Sequence, residues 1–248
     1  MANCKVFDAP SGRRLAYHRV EGEKPEVVFL GGFKSDMEGN KATFLQDWAE
    51  REGHGFLRFD YSGHGQSSGK FTEGCIGDWA QDAMEIVSAL TDGPQIIVGS
   101  SMGGWIALLL ARAMPERIHA LVGVAAAPDF TEDSIWAGLD EGQRAELMEA
   151  GQIGLPSEYA DSPYVFTRHL IEDGRNQRVL VDPLVLPFPV RLLQGTADAS
   201  VKLTVPLRIV EHATGADIRL TLVKGADHRF STPECLEMIV AAVEETSG

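Results

Sequence analysis

The stretch Gln95-Ile96-Ile97-Val98-Gly99-Ser100-Ser101-Met102-Gly103-Gly104-Trp105 constrains this chain more than any other, because it turns an apolar run directly into a helical one. Within it, Gly99-Ser100-Ser101-Met102-Gly103 fits G-x-S-x-G, the pattern of a nucleophile elbow. Such an elbow places a serine on a sharp strand-to-helix turn with strained dihedrals, and flanking glycines let the neighbouring backbone pack without a Cβ clash. Five residues alone carry little weight. The apolar strand before them and the long apolar run Trp105 to Met114 after them supply the strand–turn–helix context the pattern requires. Ser101 is therefore the candidate nucleophile. The Met102 N–H, at the positive end of the helix that starts there, is placed to receive a developing oxyanion.

The rest of the chain reads as strands alternating with helices. Lys5-Val6-Phe7 and Arg14 to Arg19 flank Pro10-Ser11-Gly12, a hairpin at a sheet edge. Glu26 to Leu30 is a buried strand feeding Gly31-Gly32-Phe33, and the Phe33 N–H is the candidate second oxyanion donor. A helix over Thr43–Glu52, a strand over Gly55–Asp60 and an amphipathic helix over Ile76–Leu90 lead into the elbow strand. His64, in the glycine-rich loop after Asp60, reads as a structural loop histidine. The alternation predicts an α/β fold, a mostly parallel central sheet with helices on both faces.

After the elbow helix, Ile118 to Ala126 is another strand, and its exit carries Asp129. The rhythm then breaks between Phe130 and Leu186. This segment reads as a helix near Glu141–Glu149, an irregular Gly151–Tyr164 stretch and a helix near Val165–Glu172. Inserts of this length are usually lids or binding elements, so residues 130–186 are expected to form a small cap on a core of 1–129 and 187–248. Its apolar Ile153, Leu155, Tyr159, Tyr164, Val165 and Phe166 are candidates to line an acyl pocket. Val190 to Gly195 resumes the strands and exits at Asp198. A helix over Leu203–His212, a last strand over Ile218–Val223 ending at His228, and a helix begun by Thr232-Pro233 complete the chain.

Composition excludes several roles. At 248 residues the chain suits one large core, and a net charge of −14 repels phosphate backbones and anionic lipid surfaces. No nucleic-acid partner and no membrane insertion are expected. Cys4, Cys75 and Cys235 are odd in number and lack C-x-x-C spacing, which suggests neither a disulfide framework nor a thiolate metal site. Met1 to Val20 carries charges throughout and no apolar core of signal-peptide length, which predicts a cytoplasmic protein.

Ser101, an acid after a later strand and a histidine after the last strand give the chain order nucleophile–acid–base. Of the seven histidines only His228 follows the last strand. Asp198 is the better acid candidate because Gln194-Gly195-Thr196-Ala197-Asp198 supplies a glycine for the strand exit; Asp129 is the other. The chain as a whole resembles the α/β-hydrolases. Gly32 to Gly39, Phe59-Asp60-Tyr61-Ser62-Gly63, Gly93 to Trp105 and Asp227-His228-Arg229 resemble a branch of that family comprising palmitoyl-protein thioesterases and acyl-glucuronide esterases. The resemblance implies a serine hydrolase that forms an acyl-enzyme on a small-molecule or acylated substrate, without metal or cofactor, with Ser101, Asp198 and His228 as its triad. Two other classes are open on this fold: carbon–carbon bond hydrolysis and non-catalytic ligand binding.

Overall fold

The computed structural model describes residues 4–156 and 163–247. Its elements in chain order are β1 (Lys5–Asp8), β2 (Arg14–Val20), β3 (Glu23–Leu30), α1 (Asn40–Glu52), β4 (His54–Phe59), α2 (Ile76–Leu90), β5 (Gln95–Ser100), α3 (Met102–Ala113) and β6 (Ile118–Val124). There follow α4 (Glu141–Ala150), β7 (Gln152–Leu155), β8 (Tyr164–Thr167), α5 (Arg168–Asn176), β9 (Leu184–Val185), β10 (Val190–Gly195), α6 (Thr204–His212), β11 (Ala213–Thr214), β12 (Ile218–Val223) and α7 (Pro233–Glu245).

Eight strands form one sheet in the order β1-β2-β4-β3-β5-β6-β10-β12. The β1–β2 hairpin and the β2–β4 pair are antiparallel, and every pair from β4 to β12 is parallel. This is the mostly parallel sheet that the alternation predicts. The central strand β5 is buried along its whole length, as a strand covered on both faces must be. On one face α1 and α7 bury Leu45, Trp48, Ile239 and Val243 against Val27, Ile96 and Val122. On the other, α2 and α3 bury Trp79, Ile86, Trp105 and Leu110 against Val28, Ile97 and Leu121. Trp79 and Trp105 have no exposed surface and still satisfy their indole N–H groups, donating to the Ser62 carbonyl (3.1 Å) and the Gln177 carbonyl (3.0 Å). Each buried side chain of this size contributes roughly 1.5–3 kcal/mol of hydrophobic stabilisation.

Between β6 and β10 the chain departs from its expected form in two places. The stretch read as irregular contains β7, which pairs antiparallel with β8 so that Ile153 faces Phe166. Part of the helix read near Val165–Glu172 is strand, and α5 begins only at Arg168. The reason is local: Tyr164-Val165-Phe166-Thr167 is a β-branched and aromatic run suited to a half-buried ribbon. Thr167 then caps α5, its hydroxyl accepting the Leu170 N–H at 3.1 Å. A π-helical turn over Thr131–Trp136 precedes α4, which opens on a capping box between Asp140 and Gln143.

Two buried carboxylates organise the loops that reach the sheet's carboxyl edge. Asp60 accepts the N–H groups of Met37 (2.6 Å) and Gln66 (2.8 Å). Asp82, on α2, accepts the N–H (2.8 Å) and hydroxyl (2.7 Å) of Ser62 and pairs with Arg13. Burial pushes both carboxyl groups above the ordinary carboxylate range, with those hydrogen bonds opposing it.

His64 sits between these loops, 4% exposed and packed edge-on against Tyr61, Phe71 and Trp79. Its Nδ1 lies 3.1 Å from the Ser62 carbonyl, and its Nε2 accepts the Lys34 N–H at 3.3 Å, which requires the neutral ring with its proton on Nδ1. Lys34 adopts a φ of +60°, so this bond holds an uncommon backbone conformation one residue after Phe33. Burial lowers the His64 pKa to about 4, against the raising effect of the Ser62 carbonyl. The unfolded chain takes up this proton near a pH of about 6.5. The stability contributed by neutral His64 is therefore complete above that value and is lost as pH falls toward about 4. Thermal melts between pH 7 and pH 4 are expected to show a fall in Tm that is shallower in His64→Asn. Parallel curves for the two proteins would refute this assignment.

Candidate active site

Ser101 stands between β5 and α3 with φ +54° and ψ −117°, outside the regions that L-residues favour. Backbone bonds hold it there: its N–H donates to the Val124 carbonyl (2.9 Å), and its carbonyl accepts from Gly104 (2.9 Å) and Ala127 (3.0 Å). Three glycines make the turn sterically feasible. A Cβ on Gly99 would lie 2.4 Å from the Gly103 carbonyl oxygen, one on Gly103 2.0 Å from that of Leu30, and one on Gly104 2.5 Å from the Ala126 Cβ. The strained elbow expected at Ser101 is thus formed by close approach of α3 to the ends of three strands.

Two loops bring partners to this serine. The turn after β12 carries His228, whose Nε2 lies 3.1 Å from Ser101 Oγ, and whose Nδ1 lies 2.9 Å from Asp198 Oδ2. Asp198 follows β10, and its side chain has no exposed surface. It accepts the N–H groups of Ser200 and Val201 on Oδ1, both at 2.8 Å, and the Gln194 amide on Oδ2 at 2.8 Å. Burial alone would raise this carboxyl. The hydrogen bonds from His228, Val201 and Gln194 outweigh that and hold it below the ordinary carboxylate range. Ser101, His228 and Asp198 accordingly form one hydrogen-bonded chain ending in an ionised carboxylate. Such an arrangement can take a proton from a hydroxyl and stabilise the imidazolium that results.

Asp129 lies elsewhere. Its carboxylate is fully buried and accepts the N–H groups of Val179 (2.9 Å) and Leu180 (3.1 Å), with Arg178 3.7 Å away. Burial raises its pKa, which those two bonds and Arg178 oppose. It ties the chain after α5 to the exit of β6.

A cleft of ≈ 400 Å³ opens over Ser101 and His228, walled by Phe33, Lys41, Phe130, Ile135 and Tyr164 among others. Phe33 is in this wall, stacked on Phe166 (5.3 Å between centroids) and edge-on to Phe130 (5.6 Å). Gly32 brings the loop against the serine, since a Cβ there would lie 3.5 Å from the Ser101 Cβ. Met102 occupies the first turn of α3, where backbone N–H groups lack an intrahelical acceptor. A second hollow of ≈ 430 Å³ shares Ala127, Phe130, Ser134, Ser200 and Val201 with the first and extends to Lys202 and Arg208.

Of the residues expected to line an acyl pocket, Tyr164 borders the cleft, and Phe166 reaches it through Phe33. Ile153 is buried in the core, Leu155 packs against that core, and Tyr159 lies outside the described residues. Ser134 and Ile135, on the π-helical turn whose period differs from 3.6, and Phe130 just before it escaped the sequence reading. Lys41 and Gln194 escaped it as well, the first lying before the helix expected over Thr43–Glu52 and the second read as a strand residue. Their roles come from partners distant in sequence or hidden in the strand exit.

Among the described residues one group of metal-ligating side chains converges: Cys75, Asp78 and His169, with ligand atoms within 4.8 Å of one another. It shares no residue with the cleft, and Cys75 serves there as the N-cap of α2, its thiol 3.4 Å from Asp78. No helix among the described residues is long and apolar enough to cross a membrane.

Comparison with known proteins agrees with this fold. The family model of the alpha/beta hydrolase fold matches residues 26–155. The mitochondrial palmitoyl-protein thioesterase ABHD10 of Rattus norvegicus is 34% identical over 93% of this chain and 78% of its own. A crystal structure from Agrobacterium vitis S4 superposes with a TM-score of 0.95 at 38% identity, each chain covered to 99%. Mouse alpha/beta hydrolase domain-containing protein 10 does so with 0.91 at 31% identity, each covered to 98%. These relatives correct the cytoplasmic expectation, since the ABHD10 proteins that match nearly the whole chain are mitochondrial. The charges spread through Met1 to Val20 do not distinguish the cytosol from an organelle. With the elbow, the parallel sheet and these matches in agreement, the chain belongs to the α/β-hydrolase family.

Proposed function

We propose that this protein is a serine hydrolase of carboxylic esters or thioesters that works through an acyl-enzyme. The observation that carries the reading is the hydrogen-bonded run Ser101 Oγ–His228–Asp198 at a cleft whose walls include Phe33, Phe130, Ile135 and Tyr164. In the first half-reaction His228 Nε2 takes the Ser101 proton while Oγ attacks the acyl carbon. The carbonyl oxygen becomes an oxyanion received by the N–H groups of Phe33 and Met102. Collapse breaks the bond to the alkoxide or thiolate, which leaves with the proton from His228. Water then gives a proton to the same nitrogen and attacks the acyl carbon; Ser101 departs, recovering the proton, and the acid is released. Asp198 keeps the imidazole proton on Nδ1 and faces the imidazolium throughout. The core of 1–129 and 187–248 supplies this machinery, and the cap of 130–186 supplies part of the substrate wall.

The relatives named palmitoyl-protein thioesterase support an acyl substrate. So does the ring cluster of Phe33, Phe130, Tyr164 and Phe166 beside the serine. In turnover assays across chain lengths, rates are expected to rise from acetyl to medium-length acyl esters and thioesters, with amides poor. Tyr164→Ala should shift that optimum, and an unchanged profile would remove the cap from substrate selection.

A fluorophosphonate probe is expected to label Ser101, with labelling and turnover both lost in Ser101→Ala by several orders of magnitude. Retained turnover in that variant would overturn the serine-hydrolase reading.

The two acids separate in kinetics and stability. Asp198→Asn presents an amide where a charge is needed and is expected to lower kcat by about a hundredfold or more, set against about ten-thousandfold in the serine-protease template. Asp129→Asn leaves a buried backbone N–H facing an amide. It should lower stability by about 1–3 kcal/mol while kcat, measured well below its Tm, stays within about tenfold. The reverse ranking in kcat would transfer the role to Asp129.

A further inference from the structure

We infer that Lys41 is a positioning residue for His228: its ammonium holds the Arg229 carbonyl, and with it the turn that presents the imidazole to Ser101. The inference rests on the serine-hydrolase reading above and adds a residue to it. Lys41 is the second residue of α1, and its Nζ donates to the Arg229 carbonyl at 2.6 Å, across 188 residues of chain. The residue thus tied adjoins His228 directly.

Other contacts anchor the two ends of this turn: the Ala226 carbonyl accepts the Ala197 N–H at 2.9 Å, and Phe230 is buried in the core. From Ala226 to Ser231 the chain has no helix or strand. Phe230 is fully buried with φ +48°, a conformation uncommon for an aromatic residue. Between those ends, the Phe230 N–H donates to Asp227 (3.1 Å) and the Ser231 hydroxyl to the Arg229 carbonyl (2.8 Å). Neither of these two bonds, both internal to the turn, can set how far the Arg229 backbone stands from α1 and the elbow. Lys41 can, because α1 is packed on the sheet through Leu45 and Trp48, and Lys41 itself lines the cleft that holds Ser101.

The chemistry of the tie is unusual. Lysine heads normally reach water or pair with acids. Here the half-buried ammonium forms no ion pair with a carboxylate among the described residues and meets a backbone carbonyl instead. The charged groups that face it are Asp227 and Arg229 on the turn and Asp36 on the preceding loop; the first turn of α1 has no acid. Burial, the largest influence, lowers the Lys41 pKa to about 8, with Asp227 raising it and Arg229 lowering it. Charged donors make hydrogen bonds roughly twice as strong as neutral ones. The tie is therefore strong below that pH and weakens above it.

The test compares Lys41→Met, Lys41→Gln, Ser101→Ala and the parent by kcat and KM from pH 6 to 10, using a short-chain ester, with circular dichroism to establish folding. In the parent, kcat should decline as pH rises through about 8. Lys41→Met should lower kcat at pH 7 by about tenfold or more, since misplacing a reacting group by 1 Å can cost about 10² in rate. KM should stay within about twofold and the decline near pH 8 should vanish. Lys41→Gln, which keeps a neutral donor, should fall between them without that decline, and it decides the matter if the Met variant does not fold. Should both variants keep the parental kcat and alkaline decline while Ser101→Ala is inactive, the role of Lys41 is overturned and the hydrolase reading stands. An active Ser101→Ala would instead overturn the reading on which the inference depends.

Discussion

The approach of α3 to the end of β3 is the contact on which the rest of the molecule depends. At Gly103 the space for a side chain is already filled by the Leu30 carbonyl, 2.0 Å from where a Cβ would stand. Moving the helix outward by one methyl group would lift Ser101 away from the Gly32–Phe33 loop. The strain at Ser101 is tolerated because the serine's own N–H and carbonyl are bonded to Val124, Gly104 and Ala127. Backbone groups therefore hold the serine in place, leaving its hydroxyl unburdened by any structural duty.

Around that contact, buried carboxylates do comparable work with different consequences. Asp60, Asp82 and Asp129 have their pKa values raised by burial and are spent on backbone and side-chain donors of nearby loops. Asp198 is equally hidden, yet its donors outweigh the burial and keep it ionised. The distinction lies in the balance with burial: Asp198 sets two N–H groups, an amide and an imidazole against its desolvation, whereas at Asp82 burial prevails even over the Arg13 guanidinium and two donors from Ser62.

Much of this was legible in the linear sequence. Gly99 to Trp105 marked the elbow, strand–helix alternation marked the parallel sheet, and chain order brought Ser101, Asp198 and His228 forward for inspection. What sequence could not do was separate Asp198 from Asp129 by more than a turn glycine, because the donors that occupy Asp129 come from Val179 and Leu180, about fifty residues onward. The ribbon of β7 and β8 was misread for a similar reason. Its short strands become strands only by pairing with each other, and Val165-Phe166-Thr167 runs without a break into a helical segment. The lining contributed by Ser134 and Ile135 was hidden by a π-helical turn, to which no 3.6-residue pattern applies. Nor did composition carry the compartment of the protein, because its charge and hydropathy describe a folded domain and not an address.

The cleft walls have two origins. Gly32, Phe33, Lys41, Ser101 and His228 belong to the loops at the sheet edge, whereas Phe130, Ser134, Ile135 and Tyr164 belong to the stretch between β6 and β10. The strained Ser101 backbone and the close packing at Gly99, Gly103 and Gly104 lie beneath the first set. The second set stands on or just before a π-helical turn and on a short two-stranded ribbon, none of which supplies the backbone bonds that hold Ser101. Sequence drift can thus redraw the shape of what fits over the serine while the machinery beneath it stays constant, and the division of labour is written into which half of the wall tolerates a new side chain.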